Sequence, residues 1–431
     1  METSMAHNTV TLSNGKVIEI KILKADRDLA SLLPGGKYYS SPTYLYEGLK
    51  GPWGLSTGIQ DWAERKAETY GPDLYNIAGM VKGRSSNNNN ILIWSKVASD
   101  DTISFFYDET FGGNQGDKRV SQFFGDNYRI YAGGGGNSSF LEISRIDDEN
   151  NAETILYSQT YGPNIPSNFL INDFRHYLTM NDNNIGISVK AQLDKNYYSH
   201  ALRVDIVGDV ATPVNGSSQY LYSANNYINP SAQMWRTAIP TIDHADNSFY
   251  VSGIKWNSSA GTYQHMLSKI IVNPTTLAQT AYSTEITGAL AYGSNLTEEM
   301  QLVALQDDQV LMTGRGCNKI WKFKFNSSTN QFDLLGSDSI NSARSIAEYD
   351  NGNKALLINY TSGTGKYNLV HYSDIINSFN KTTEEIDQSS LVGYSPVEMF
   401  ISIASDTHAV IYASMQGAAK KLAAQAIKLT S

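Results

Sequence analysis

Seven histidines, His7, His176, His200, His244, His265, His371 and His408, are the side chains best suited to hold a transition metal or to move a proton near neutral pH. They are scattered along the chain with no HxxxH, HxH or HExxH spacing, so no zinc or non-haem iron site is signalled. The single cysteine, Cys317, excludes an internal disulfide and cysteine-based metal clusters. Gly363-Thr364-Gly365-Lys366 resembles the end of a phosphate loop, but Tyr360 stands where the first glycine belongs and Tyr367 replaces the Ser or Thr after the lysine. No Gly-x-Ser-x-Gly elbow presents a nucleophilic serine. The densest acidic patch, Asp147-Asp148-Glu149-Asn150, lies between two strand-like runs and reads as a solvated hairpin tip. No catalytic, cofactor-binding or metal-binding residue is assigned on this basis, and no cofactor is expected.

What recurs instead is a turn. Residues 299–340 hold four short apolar or alternating runs, Gln301 to Leu305, Val310 to Thr313, Lys319 to Phe325 and Phe332 to Leu335, separated by polar turns. Runs of this length bounded by Asp, Asn, Gly or Ser mark strands joined by hairpins. Asp307-Asp308 lies between the first two, where short acidic side chains bond nearby amides and tolerate a positive φ. The same turn returns at Asp126, Asp182, Asp246, Asp350 and Asp406, so six copies stand 43 to 64 residues apart. None continues into the spaced ligands and distal Glu of a calcium loop.

A strand-turn-strand unit repeated at this period resembles a blade of the β-propeller superfamily, and the resemblance covers about 74 to 430. It implies an all-β fold, a seven-bladed β-propeller. The first blade, without the acidic turn, takes the strand-like runs Asn76 to Lys82, Ile91 to Val97 and Thr102 to Tyr107. The last reads Glu398 to Ile403, Ala409 to Ser414 and Lys421 to Leu429 and lacks a fourth strand. An N-terminal strand, from Val10 to Leu12 or Lys16 to Leu23, is expected to close the ring and remove its free edges. Helix propensity in GAAKKLAAQAIKL, 417–429, conflicts with its place in the repeat, and the repeat favours strand.

Three parts are expected: residues 1–23 as leader and closing strand, 24–73 as a small irregular and helical appendage, and 74–431 as the propeller. Asn14-Gly15 turns the strand pair ahead of the appendage, and within the appendage short helices are expected over Lys24 to Leu33 and from Asp61, with Glu64 completing a capping box, to Gly71-Pro72. Tyr38, Tyr39, Tyr44, Tyr46 and Trp53 sit among Gly, Ser and Pro, with Trp62 following; such aromatics either cap the propeller core or form an assembly contact with a neighbouring chain. Tyr197-Tyr198 and Tyr220-x-Tyr222 read as loop residues of an adaptable surface or as strand-ladder aromatics.

Composition limits the partners. Formal charge is −9, and no cluster of Lys or Arg exceeds two, so nucleic-acid binding through phosphate neutralisation is not expected. No run approaches the roughly 18 apolar residues of a membrane span. METSMAHNTVTLSNGK shows no secretory signal, so synthesis in a host cytoplasm is expected. The Ser-x-Asp-x-Gly-x-Thr-Trp box of sialidases is missing from all six turns, as are WD40 and kelch signatures. The chain is therefore expected to be non-enzymatic. Its acidic, Asn/Ser/Gly/Tyr-rich all-β character resembles tailed-bacteriophage tail, collar, nozzle or adhesin proteins. That resemblance implies a virion location and contacts with other virion proteins, with copies of itself and with host surface glycan. A carbohydrate-binding lectin and a propeller glycan hydrolase or lyase are the alternatives.

Overall fold

A strand that is apolar on both faces needs a neighbour on each side of its sheet, and this chain is built of such strands. The computed structural model describes residues 8–11, 17–20, 39–40, 54–57, 62–63, 82–83, 90–97, 103–111, 119–124, 128–135, 138–147, 152–161, 177–181, 183–191, 196–223, 240–245, 247–257, 262–286, 300–314, 316–388, 394–405, 408–417 and 421–429, with side chains from Phe124 onward. Among the described residues every regular element is a strand.

Six four-stranded antiparallel sheets follow in order. Sheet 1 is Arg119–Phe124, Tyr128–Gly135, Ser138–Asp147 and Ala152–Tyr161. Sheet 2 is Tyr177–Met180, Ile185–Ala191, Asn196–Val207 and Val210–Ser223. Sheet 3 is Pro240–Ile242, Ser248–Asn257, Thr262–Val272 and Gln279–Ile286. Sheet 4 is Met300–Leu305, Gln309–Gly314, Lys319–Asn326 and Gln331–Ser339. Sheet 5 is Ser342–Tyr349, Lys354–Thr361, Lys366–Tyr372 and Lys381–Glu385. Sheet 6 is Tyr394–Ser405, His408–Gly417 and Lys421–Lys428, with Gly54–Thr57 as its outermost strand. First strands of consecutive sheets touch from sheet 1 to sheet 6, and Asn90–Val97 lies against Tyr394–Ser405. The arrangement is all-β and propeller-like.

The core is divided among the sheet interfaces. In sheet 4, Val310 and Met312 pack with Tyr250 and Leu267 of sheet 3, whereas Leu311 packs with Ala355 and Leu357 of sheet 5. Leu356 and Ile358 then turn the other way, onto Met399, Ile401 and Ile411 of sheet 6. Period-two alternation thus sends successive side chains to opposite neighbours, so every position of Gln309–Gly314 is buried. The fourth strand faces water instead, and all five residues of Lys381–Glu385 are exposed. Loss of one interface side chain such as Ile358→Ala typically costs about 2–5 kcal/mol.

Four expectations change at the N-terminal end. The strands at Asn8–Thr11 and Val17–Ile20 do not close the ring; they pair with each other, Thr11 opposite Val17, so the hairpin signal at Asn14-Gly15 satisfies them locally. The closing strand comes from the segment expected as an appendage: Gly54–Thr57 pairs with Lys421–Lys428, Thr57 opposite Lys421 and Gly54 opposite Ala424. Tyr39–Ser40 of the same segment pairs with Ile103–Phe111, whose other edge carries Asn90–Val97. In place of a capped helix from Asp61, Trp62–Ala63 is extended and pairs with Lys82–Gly83, because ladder pairing outweighs local capping propensity. The helix expected over Lys24 to Leu33 lies outside the described residues. Lys421–Lys428 is strand, as the repeat demanded of it.

Tyr197-Tyr198 and Tyr220-x-Tyr222 lie in paired strands, not loops. Tyr197 stacks on Tyr222 at 4.7 Å and Tyr198 meets Tyr220 edge-on at 5.8 Å.

His265, on the third strand of sheet 3, is fully buried, and burial pulls its imidazole down to about 4 from an ordinary 6.5. The unfolded chain therefore binds the extra proton between these two values. Stability from this residue is complete above about pH 6.5 and is lost as pH falls toward 4, at up to about 1.4 kcal/mol per pH unit. His265→Gln should flatten this part of the curve of urea midpoint against pH.

Candidate functional site

The turns between first and second strands, and those between third and fourth, emerge on one face of a four-stranded meander. On that face two sets of polar side chains cross from sheet to sheet. The first set belongs to the repeated acidic turns. In sheet 2, Asn181 Oδ1 accepts from the Asn183 and Ile185 amides, each at 3.0 Å, while its Nδ2 donates to Asn247 Oδ1 of sheet 3 at 3.2 Å. Asn184, Asn247, Asp307, Asp308, Asp350 and Asn351 all take positive φ, between 50° and 59°, which short Asp and Asn side chains tolerate. Of the turn aspartates singled out from the sequence, Asp307 and Asp350 occupy these positions and are exposed. Asp126, Asp182, Asp246 and Asp406 lie outside the described residues.

From sheet 3, His244 reaches both following sheets. Its Nε2 is 3.2 Å from Ala304 O and 3.9 Å from Glu348 Oε1. A carbonyl only accepts, so Nε2 carries a proton. Glu348 Oε2 accepts the Gly352 amide at 2.9 Å, and Gln306 Nε2 donates to Asn351 O at 2.8 Å. Gly352 has φ +78°, and a Cβ there would lie 2.4 Å from His244 Nε2.

The second set is a cation on the third strand of a sheet that reaches a turn of the next. Arg145 pairs with Asp209 at 2.7 Å. Arg203 Nη1 donates to Pro274 O at 3.0 Å and Thr275 O at 3.2 Å. Lys322 Nζ donates to Ile375 O at 2.6 Å and Ile376 O at 2.7 Å. Lys269 stands 3.0 Å from Asp243 in its own sheet and 2.5 Å from Asp308 in sheet 4. Lys269 and Asp243 are both buried, so each depends on the other to offset desolvation. Burial, with Asp243 and Asp308 beside it, pushes the Tyr250 phenol far above its usual range, so it stays neutral and donates to Asp308. Burial lowers the Lys322 ammonium, and Asp374 opposes that shift.

This second set was not recognised in the sequence. Its signal is a basic residue inside a largely apolar third strand, as in HALRVDIV, HMLSKIIV and the central lysine of KIWKFKFN. Chemically, His244 beside Glu348 is an acid–base pair at the junction of three sheets. No group of three or more His, Cys, Asp or Glu able to hold a metal occurs among the described residues. The aromatic candidates are not gathered on this face by any described contact: Tyr39 and Trp62 begin two-residue strands, and Tyr38, Tyr44, Tyr46 and Trp53 lie outside the described residues.

Lys269→Met strands Asp243 in the interior and should cost about 3–5 kcal/mol in urea unfolding, against about 1 kcal/mol or less for partly exposed Arg203→Met after solvent screening. Gly352→Ala should cost about 1–3 kcal/mol, and less in a His244→Ala background, where the backbone strain and the 2.9 Å approach to the Gln306 nitrogen remain.

No protein-family model matches the chain, and no curated protein matches it. Solved structures are similar at low identity. A 6-phosphogluconolactonase-like protein of Bacteroides uniformis is 14% identical, over 66% of this chain and 73% of its own, with a TM-score of 0.42. A second protein so described, from Bacteroides fragilis, is 11% identical over 82% and 89%, with a TM-score of 0.40. Sqt1 of Chaetomium thermophilum, solved bound to the N-terminus of the ribosomal protein L10, is 10% identical over 80% of each chain, with a TM-score of 0.46. The expectation of a non-enzymatic chain is corrected here, because two of these neighbours carry an enzyme's description.

Proposed function

We propose that the chain is a structural protein of a tailed-bacteriophage virion, a tail nozzle, collar or host-recognition component. In this reading a seven-bladed propeller is the scaffold for contacts with other virion proteins, with copies of itself and with host surface glycan. Six complete sheets would be joined by a seventh, formed by Asn90–Val97, Ile103–Phe111 and Tyr39–Ser40 beside sheet 6.

The observation that carries the reading is an apolar prominence on the rim. Val207 and Val210, 80% and 60% exposed, face each other across the Gly208-Asp209 turn of sheet 2. Arg145 of sheet 1 pairs with Asp209 in that turn, and Ile155, 56% exposed, lies on the outer strand of sheet 1. Two branched aliphatic side chains therefore sit on the turn whose Asp209 makes the ion pair that joins two sheets. Covering such a side chain is worth about 1.5–3 kcal/mol, which favours a partner surface there. The cross-sheet cations hold the prominence on a rigid base, as an assembly scaffold requires. The acidic, cysteine-poor composition supports the same setting.

Light scattering of the purified chain should give a multiple of 47.5 kDa, and the paired Val207→Asp, Val210→Asp variant a smaller mass with unchanged circular dichroism. A single-chain mass for the intact protein, together with glycan binding by that isolated chain, would replace the assembly reading with a carbohydrate-binding one.

A further inference from the structure

Sheets 3, 4 and 5 share one structural position. The third residue of the second strand, Tyr250, Leu311 or Leu356, stands opposite Lys269, Lys322 or His371 of the third strand. Two residues earlier the third strand carries Leu267, Ile320 or Leu369, which packs against sheet 4, sheet 5 or sheet 6 in turn. By alternation each basic side chain lies on that same face, turned toward the next sheet. Lys269 there meets Asp308 of sheet 4, and Lys322 meets two carbonyls of sheet 5. At the seam between sheets 5 and 6 the position holds a histidine, whose charge alone among the three changes near neutral pH.

We propose that His371 makes the seam between sheets 5 and 6 acid-sensitive: its protonation loosens the attachment of sheet 6, while the lysine-clamped seams on either side of sheet 4 hold. His371 is partly buried, and its Nε2 is hydrogen-bonded to the Tyr349 hydroxyl, with the two rings 5.8 Å apart. Burial, with Asp350 beside it, pushes the Tyr349 phenol up to about 12, so the phenol stays neutral and donates to an uncharged imidazole. A protonated Nε2 can no longer accept that bond. Burial and the nearby Lys354 ammonium hold the imidazole below its ordinary 6.5. Lys354 lies over the Tyr349 ring at 5.7 Å and pairs with Asp350 at 3.3 Å, so Asp350 already has its cation. On the fourth strand the ladder partner of His371 is Thr382, and Glu384 lies on the same face beside Leu369. Every described side chain of sheet 6 is apolar, Met399, Ile401, Ile403 and Ile411 among them. An imidazolium therefore meets no carboxylate of sheet 6 among the described side chains, where Lys269 meets Asp308. The opened seam binds the proton that the closed seam resists. Stability of the seam is complete above about pH 6.5 and is lost as pH falls below it.

Hydrogen exchange of the full chain, read by mass spectrometry and corrected for the intrinsic pH dependence of exchange, tests this seam by seam. Amides of Tyr394–Ser405 and His408–Gly417 should open more often as pH falls below about 6.5, by up to about tenfold per pH unit, while Gln309–Gly314 keeps its protection. His371→Gln, which cannot take the charge, should remove the acid response of sheet 6. Tyr349→Phe deletes the donor that favours the neutral ring and should move the onset to higher pH. His265 is unaltered in both variants, so any difference from the parent chain belongs to His371 and its partner. An acid response that persists in His371→Gln, or that is equal in sheets 3 to 6 of the parent chain, overturns the proposal. Should His371→Gln fail to fold, the Tyr349→Phe onset decides: a higher pH supports the switch, and the same or a lower pH overturns it.

Discussion

Every sheet from 2 to 5 has two apolar faces to bury, and the rest of the structure depends on that constraint. The side chains of Gln309–Gly314 pack alternately on sheet 3 and on sheet 5, so removal of either neighbour exposes half of an interior strand. Among the described residues the apolar clusters lie between sheets 1 and 2, 2 and 3, 3 and 4, 4 and 5, and 5 and 6. Stability in such an array is a sum over interfaces, and its ends are the weak points. Attachment of Gly54–Thr57 to sheet 6 and of Asn90–Val97 beside it answers that weakness with segments drawn from the other end of the chain.

Apolar packing sets the spacing of the sheets but is non-directional, and it allows neighbouring sheets to slide. The polar cross-links remove that freedom. Lys322 holds two carbonyls of the turn in sheet 5, Arg203 holds two in sheet 3, and Lys269 binds a carboxylate on each side of its interface. Register shifts at Ile143/Ser144, His200/Leu202 and Lys322/Phe323 lie close to Arg145, Arg203 and Lys322. A bulge sharpens local twist, and these three occur where a side chain must leave its own sheet for the next.

A rigid array with one face of linked turns and a rim carrying Val207, Val210 and Ile155 presents fixed surfaces at fixed angles. Such a body suits assembly, where the orientation of one subunit must be transmitted to another. The same face carries His244 and Glu348 at the meeting of three sheets, so rigidity and polar chemistry coincide there.

Strand identity, blade period and turn chemistry were legible in the sequence because they are local. Asp307-Asp308 and Asp350-Asn351-Gly352 announce a left-handed turn by residue type alone, and the alternating apolar runs on either side announce the strands that the turn joins. Lys421–Lys428 was readable only through the repeat, since its own composition favours helix. The N-terminal pairings were not readable. Gly54–Thr57 is four residues, GLST, with no pattern of its own, and its strand character comes from an edge more than 360 residues away. The cross-sheet cations were missed for a related reason: a lysine in KIWKFKFN looks like the polar half of an alternation until the neighbouring turn places two carbonyls in front of it. Backbone propensity and side-chain periodicity act within a few residues, so the sequence by itself determined the strands and their turns. Which edge meets which strand, and which charge finds which partner, depends on burial and geometry that exist only once the sheets have packed.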